Sequence, residues 1–327
     1  MLSSIMSGFN STKLQTVVDN LPVNPTLIAK LKAGNLCSLK KILHLSIPEL
    51  QKCAKVSKGE AKIIIEAVSH AVLETDPISG FDIFYEPSSK EKLSLDSFKN
   101  FDGIYGGTIT EICGESGCGK TQLCLHLSIL AQLPQCYKGL NAKILYIHSE
   151  GDFPIKRYMQ MTEQFKQKCA GYKALNLSDN LILKKVSNLK ETMHVLQQSI
   201  PDLLKKEVKP KILVIDSVAA VLRCEYESMN MRTLLILQLV TQLWNLANNH
   251  QMFVICVNQI SGSVQQATDV PALGLLWANA LTTRLKISRA SPNGEIVPRI
   301  LEVIFSSYHA RVKSEFIISR NGIEPIV

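Results

Sequence analysis

The sequence has no Cys-x-x-Cys pair and no histidine cluster at metal-ligand spacing, which excludes a zinc module and a disulfide-stapled scaffold. Its nine cysteines (37, 53, 113, 118, 124, 136, 169, 224 and 256) are odd in number and scattered, and read as buried thiols of a reducing compartment. Long apolar runs are also missing. The most apolar stretch, Leu234 to Leu246, is broken by Gln238, Thr241, Gln242 and Asn245, too short and too polar to span a bilayer, so no membrane partner is expected. The first residues, Met1 to Ser7, lack the basic stretch and long apolar core of a secretory leader. Strong charge of either sign is absent: a net +8 is compatible with an anionic partner such as nucleic acid but is weak evidence for one, and a solvated basic face accounts for it more simply. What is present is a globular composition, 46% hydrophobic and 20% charged, over 327 residues, enough for two domains or one large α/β domain with an appendage.

One stretch organises the rest. Gly114-Glu115-Ser116-Gly117-Cys118-Gly119-Lys120-Thr121 fits G-x-x-x-x-G-K-[ST], with a strand-like segment before it (Thr108 to Cys113) and a helix-like run after it (Gln122 to Leu127). Strand, glycine loop and helix is the context a phosphate-binding loop requires. Side chains are omitted where backbone N–H groups must reach phosphate oxygens, and the helix N-terminus adds partial positive charge. Lys120 is then placed to neutralise the β and γ phosphates, and the Thr121 hydroxyl to complete a Mg²⁺ shell.

Before this core, residues 23 to 73 carry helical periodicity in short pieces. Pro25 opens a helix that Gly34-Asn35 stops; a second piece covers Leu39 to Leu45; Pro48 starts a third through Cys53. Ser57 with Glu60 is a capping-box pattern ahead of Ala61 to Val68. These pieces resemble a helix-hairpin-helix module, but the hairpin Lys55-Val56-Ser57-Lys58-Gly59 lacks paired glycines, which favours docking or packing over DNA contact. From Glu74 to Lys92 proline, glycine and serine mark a linker. Its aromatics, Phe81 and Phe84 among them, either fold back on their own domain or tether a neighbouring subunit as a strand.

From Leu93 onward strands and helices alternate. Strands are expected at 142–149, 181–186, 212–215 and 252–257, and helices at 191–204 and 233–248, the last apolar nearly all round and so expected to be well buried. Apolar runs separated by helices imply an α/β fold with a mostly parallel sheet covered on both faces. After Thr283 only strands are expected, with turns at Ser291-Pro292-Asn293-Gly294 and Asn321-Gly322.

Three strand ends carry polar residues suited to a bound nucleotide: Glu150, Asp216 and Asn258-Gln259. Ligands of open α/β sheets sit at the carboxyl ends of strands, so these converge on the phosphate loop. Asp216 is placed to hold a water of the Mg²⁺ shell, Glu150 to orient and deprotonate the attacking water, and Gln259 to sense the γ-phosphate. Each alone would also serve simply to cap a strand. No Asn-Lys-x-Asp supports a GTPase and no Leu-Ser-Gly-Gly-Gln a transporter ATPase, while a small-molecule kinase would leave the N-terminal helices and C-terminal strands unexplained.

On these residues the chain resembles the eukaryotic RecA/RadA recombinase family over essentially its whole length. The similar runs are Gly107 to Gly114, Gly119-Lys120-Thr121-Gln122, Glu150-Gly151-Asp152-Phe153 with Arg157, and Thr282-Thr283-Arg284-Leu285. Val214 to Ala220, Arg223-Cys224-Glu225, and Pro271 to Gly274 with Trp277-Ala278-Asn279 are similar to an accessory paralogue of that family rather than to the strand-exchange enzyme. The resemblance implies a RecA-like P-loop ATPase core over 93–327, a small all-helical domain over 1–75 and a linker over 76–92. It implies ATP and Mg²⁺ as cofactors, with ATP held by Gly114, Glu115, Ser116, Gly117, Cys118, Gly119, Lys120, Thr121, Gln122 and Arg157. Catalytic roles fall on Glu150, Lys120 and Gln259, and the metal on Thr121 and, through water, Asp216. A weak DNA-dependent ATPase, completed by another chain, is the enzymatic expectation.

The implied partners are a sister recombinase paralogue, a recombinase filament, and single-stranded or branched DNA reached through the complex; the implied location is the nucleus, with the cytoplasm left open. Departures from the recombinase pattern weaken direct DNA contact. The first DNA loop, about Arg223 to Arg232, carries two glutamates beside its candidate arginines, and the second, about Ile260 to Leu273, contains no Lys or Arg. Asn279 replaces a histidine that reads the γ-phosphate, Ser306 to Arg311 replaces a proline-rich cap, and a Phe-x-x-Ala tether reads Phe81-Asp82-Ile83-Phe84. Three functions therefore compete: an ATP-binding accessory subunit of homologous recombination, a self-sufficient strand-exchange ATPase, and a scaffold with a vestigial nucleotide site.

Overall fold

The computed structural model describes residues 18–72, 79, 81, 90–168, 177–206, 209–222, 229–261, 270–271, 273–291 and 297–326. The chain separates into two compact units, Met1–Pro87 and Ser88–Val327.

The first unit is all-helical in its described residues. Helices α1 (Pro25–Ala33), α2 (Leu39–Leu43), α3 (Ile47–Ala54) and α4 (Lys58–Val72) follow the punctuation of the sequence. Asn24 caps α1 ahead of Pro25, and the expected capping box forms, with Ser57 N–H donating to Glu60 at 2.7 Å and Glu60 N–H to the Ser57 hydroxyl at 3.2 Å. A second capping box, Ser46 with Glu49, adds to the expected one. In the hairpin Lys55 itself takes the left-handed conformation (φ 51°) that a glycine would otherwise supply. Leu27, Leu31, Leu39, Ile42, Leu50 and Ile64 form the buried centre.

The second unit is built on a sheet in the order β12-β11-β10-β9-β3-β7-β6-β4-β5. Strands β3 (Thr108–Gly114), β4 (Lys143–His148), β5 (Leu181–Lys185), β6 (Pro210–Asp216), β7 (Phe253–Ser261) and β9 (Thr283–Arg289) pair in parallel, as the apolar runs predict. Strands β10 (Arg299–Ser306), β11 (Lys313–Ser319) and β12 (Gly322–Pro325) extend it antiparallel, the last two joined by a turn at Arg320-Asn321, one residue ahead of the expected Asn321-Gly322. The other expected turn lies largely outside the described residues. A small antiparallel pair, β1 (Lys92–Ser94) with β2 (Gly103–Tyr105), carries no clear strand pattern in the sequence. The short β8 (Val270–Pro271) pairs with β7.

Two expectations need correction. The helix Met229–His250 is buried along one stripe only, through Ile236, Leu239, Leu243 and Ala247, while Met231, Leu234 and Leu237 are 48%, 54% and 44% exposed. A helix packed on one side of a sheet has room for only one covered face, whatever its composition. Among the described cysteines Cys113, Cys118, Cys124 and Cys256 are buried, but Cys37, in the link between α1 and α2, Cys53, on α3, and Cys136, in a single 3-10 turn, are exposed. Burial pushes the Cys113 thiol up to about 12. The helix expected over 191–204 runs as Leu189–His194 and Ile200–Lys205 around a π turn at Val195–Ser199; Pro201, which has no N–H to give, sits just after that turn.

The sheet centre contains one fully buried carboxylate. Glu111 on β3 accepts hydrogen bonds from Asn258 Nδ2 on β7 (2.8 Å), from Trp277 Nε1 (2.6 Å) and from Arg284 Nε on β9. Removing one partner of a buried ion pair leaves the other charge uncompensated, which costs about 3–5 kcal/mol. Glu111→Ala is therefore expected to lower the urea midpoint by a large fraction of the total stability; an unchanged midpoint would contradict this role for Glu111.

Candidate nucleotide site

The phosphate loop grows out of β3, which is buried along its whole length. At Gly114 (φ 158°) a Cβ would lie 2.3 Å from the Ile287 carbonyl oxygen and 2.7 Å from Cys118 Sγ, so only glycine lets the strand turn there. The loop then feeds α5 (Lys120–Gln132). Lys120 is 9% exposed, and its ammonium donates to the carbonyls of Gly114 (2.8 Å) and Glu115 (2.7 Å), which hold it beside the loop it serves. Cys118 is buried, so it brings its backbone rather than its thiol to the site.

The expected acids converge. Asp216, at the end of β6, accepts from the Thr121 hydroxyl at 2.7 Å, and the same oxygen accepts from Tyr146 OH at 2.8 Å. Burial pushes the Asp216 carboxyl above the usual range, against the opposing pull of those two hydrogen bonds. Glu150, just past β4, accepts from the Gln259 side-chain amide at 2.9 and 3.2 Å, and Ser217 Oγ lies 3.4 Å from it. Ser149 fixes the two strand ends together: its hydroxyl donates to the Ser217 carbonyl and accepts from the Ser217 N–H, both at 2.9 Å. Lys120, Thr121, Glu150, Asp216 and Gln259 thus line one cavity of about 430 Å³ with the loop residues Ser116, Gly117 and Gly119 and with Gln122.

This donor set fits Mg²⁺. Among the described residues no group of three or more His, Cys, Asp or Glu side chains could hold a metal alone, so an ion here needs oxygens from phosphate and water in addition to the paired Thr121 hydroxyl and Asp216 carboxylate.

Other expected residues fall elsewhere. Arg157 is not among the cavity-lining residues. On the helix Ile155–Lys168 it donates through Nε to Gln122 Oε1 (2.8 Å), through Nη1 to Gln160 Oε1 (2.6 Å) and the Arg320 carbonyl (3.1 Å), and through Nη2 to the Ser319 carbonyl (2.6 Å). It braces Gln122 from behind. Arg223 and Phe84 lie outside the described residues; Arg232 is half-buried in the first turn of the Met229–His250 helix, and Phe81 is 69% exposed. Sequence reasoning misses Tyr146, although a tyrosine inside the aliphatic strand Ile144-Leu145-Tyr146-Ile147 is a visible signal. Its neighbours Ile144 and Ile147 are also buried, but its hydroxyl alone needs a polar partner, and Asp216 provides it.

Comparison with known proteins matches residues 91–326 to the Rad51 family and residues 18–72 to an XRCC3/RpoA-like helix-hairpin-helix domain. The chain is similar to the DNA repair protein XRCC3 of Bos taurus, at 28% identity over 94% of this chain and 97% of that protein. It is similar to the DNA repair protein XRCC3 homolog of Arabidopsis thaliana, at 31% over 68% of this chain and 87% of that protein. The DNA repair and recombination protein RadA of Aeropyrum pernix is 28% identical over 97% of this chain and 98% of that protein.

Because burial raises Asp216, its ionised form opposes folding at neutral pH. Asp216→Asn removes that charge while its amide oxygen still accepts from Thr121 and Tyr146. The nucleotide-free variant is expected to melt no lower than the parent, while stabilisation by saturating Mg²⁺–ATP drops from about 3–4 kcal/mol to near zero. A lowered apo midpoint with the Mg²⁺–ATP shift intact would contradict the assignment.

Proposed function

Since the chain belongs to the Rad51 family, we propose that it is an ATP-binding accessory paralogue of the homologous-recombination repair machinery, acting with sister recombinase paralogues to assist recombinase filaments and junction processing. The single observation that carries this reading is a complete phosphate-and-metal arrangement, Thr121 bonded to Asp216 and Gln259 to Glu150, in a chain whose second DNA loop has no cation between Ile260 and Leu273. ATP binding is supported without a matching grip on DNA. The names of the relatives, DNA repair proteins all, agree with that setting and with a nuclear location.

In the proposed site Mg²⁺ would supply charge neutralisation between phosphates, held by Thr121 and, through water, by Asp216. Lys120 would leave the loop carbonyls for the β and γ oxygens. Glu150, held by the Gln259 amide, is the base for the attacking water. Because the Gln259 side-chain amide donates to both Glu150 oxygens, a bound γ-phosphate would compete for the same amide, which is how this residue would report the phosphate to the segment after β7. Hydrolysis is expected to be slow, and DNA to be met through the complex.

Lys120→Ala is expected to abolish ATP binding in calorimetry and to loosen the complex with a sister paralogue at least tenfold. Unchanged affinity in that variant would overturn the phosphate-site reading. Normal assembly by a protein unable to bind ATP would instead favour a scaffold with a vestigial site. DNA-stimulated hydrolysis lost in Glu150→Gln, together with filaments of this chain alone on single strands, would favour a self-sufficient strand-exchange ATPase.

A further inference from the structure

The phosphate loop is flanked on one side by β7, which carries Gln259, and on the other by β9 and β10. On that second side Ile287 of β9 stands opposite Gly114, and two residues further on is Arg289. Arg299 of β10 is its direct partner in the antiparallel ladder. Residues directly opposite one another project on the same face, and like charges in that arrangement repel. Among the described residues neither guanidinium is paired with a carboxylate: Arg289 Nη2 donates weakly to the Ser116 carbonyl at 3.3 Å, and Arg299 Nη1 donates to the Val297 carbonyl.

Both arginines are placed against the loop. Gly117 (φ 72°) has no side chain, and a Cβ there would lie 2.6 Å from Arg289 Nη2, so the bare backbone is what lets the guanidinium rest on the loop. Arg299 lines the same cavity as Lys120, Thr121, Glu150 and Gln259. Its Nε is buried and has no hydrogen-bond partner among the described residues. A buried donor left unmatched is costly, and two guanidinium groups without a carboxylate partner, carried on facing ladder positions beside a glycine loop, make a site that an anion would complete.

We propose that Arg299 and Arg289 form a guanidinium pair that grips the polyphosphate of ATP within the same chain, from the side of the loop away from Glu150 and Gln259. The inference rests on the reading of this cavity as the nucleotide site and adds its second set of cations. P-loop ATPases commonly receive a stabilising arginine from a neighbouring protein. Here the two arginines come in cis, so the chain binds nucleotide tightly before any partner docks, and partner docking is free to depend on nucleotide rather than to supply it.

The test is calorimetry of Mg²⁺ with a non-hydrolysable ATP analogue on the full-length chain without a partner, at several salt concentrations. The parent is expected to bind. Arg299→Ala is expected to weaken binding about ten- to a hundredfold and Arg289→Ala, at an exposed position that keeps the fold, severalfold, each with a shallower salt dependence. Arg299→Lys, which keeps the charge but not the Nε donor, should fall between parent and Arg299→Ala. Should both alanine variants bind within twofold of the parent while Lys120→Ala does not bind, the arginine pair is refuted and the phosphate-site reading stands. A parent chain that binds no nucleotide by itself refutes the cis grip, and loss of the analogue even from a partner-bound complex would refute the site altogether.

Discussion

The carboxylate of Glu111 ties together the parts of the chain that make the site. It sits on the strand that delivers the phosphate loop and reaches Asn258 on one neighbouring strand, Arg284 on the other and Trp277 in the short helix Gly274–Ala278. Those contacts adjoin the lining of the candidate site: Gln259 follows Asn258 directly, and its N–H donates to the Asn258 side chain at 2.8 Å. A charge with no access to water tolerates only arrangements that keep all its donors in place. The relative register of β7, β3 and β9, and with it the spacing between Gln259, the loop and Arg289, is thereby held at its centre rather than at its exposed ends.

Around that fixed point the electrostatics divide by side. On the β7, β6 and β4 side lie acids and an amide, with Asp216 desolvated and Glu150 clasped by Gln259. Lys120 and the backbone amides of the loop occupy the middle, and arginines the β9 and β10 side. A triphosphate with its cation has the complementary order, the metal-bearing end toward the carboxylates. The two stretches that the recombinase pattern would assign to DNA differ from the cavity in charge: the one from Ile260 to Leu273 has no basic residue, and the one from Arg223 to Arg232 mixes arginine with glutamate. The charge around the loop therefore suits a nucleotide better than those two stretches suit a nucleic-acid backbone.

Much of this is legible in the amino-acid sequence. The phosphate loop is readable because its chemistry constrains consecutive residues, and Asp216, Glu150 and Gln259 because polar residues ending apolar strands in a parallel sheet have few other places to be. Glu111 does not stand out, since one glutamate in Thr108-Ile109-Thr110-Glu111-Ile112 looks like ordinary strand alternation; only the strand order brings Arg284 and Trp277 to it. Tyr146, Arg289 and Arg299 owe their positions to register across strands distant in sequence, which local patterns do not encode. Arg157 lies close in sequence to Glu150 yet supports Gln122 from outside the cavity, because the helix that carries it packs behind α5. The helix Met229–His250 shows the opposite limit: composition reports what a helix has available to bury, and the neighbours decide how much of it is covered.

The most direct measurement is an experimental structure of the chain with Mg²⁺ and a non-hydrolysable ATP analogue. It is expected to show the γ-phosphate between Lys120 and the Glu150–Gln259 pair, with the ion at the Thr121 hydroxyl and Asp216 one water away. Nucleotide bound elsewhere, or at the loop with Glu150 and Asp216 turned from it, would contradict the central claim.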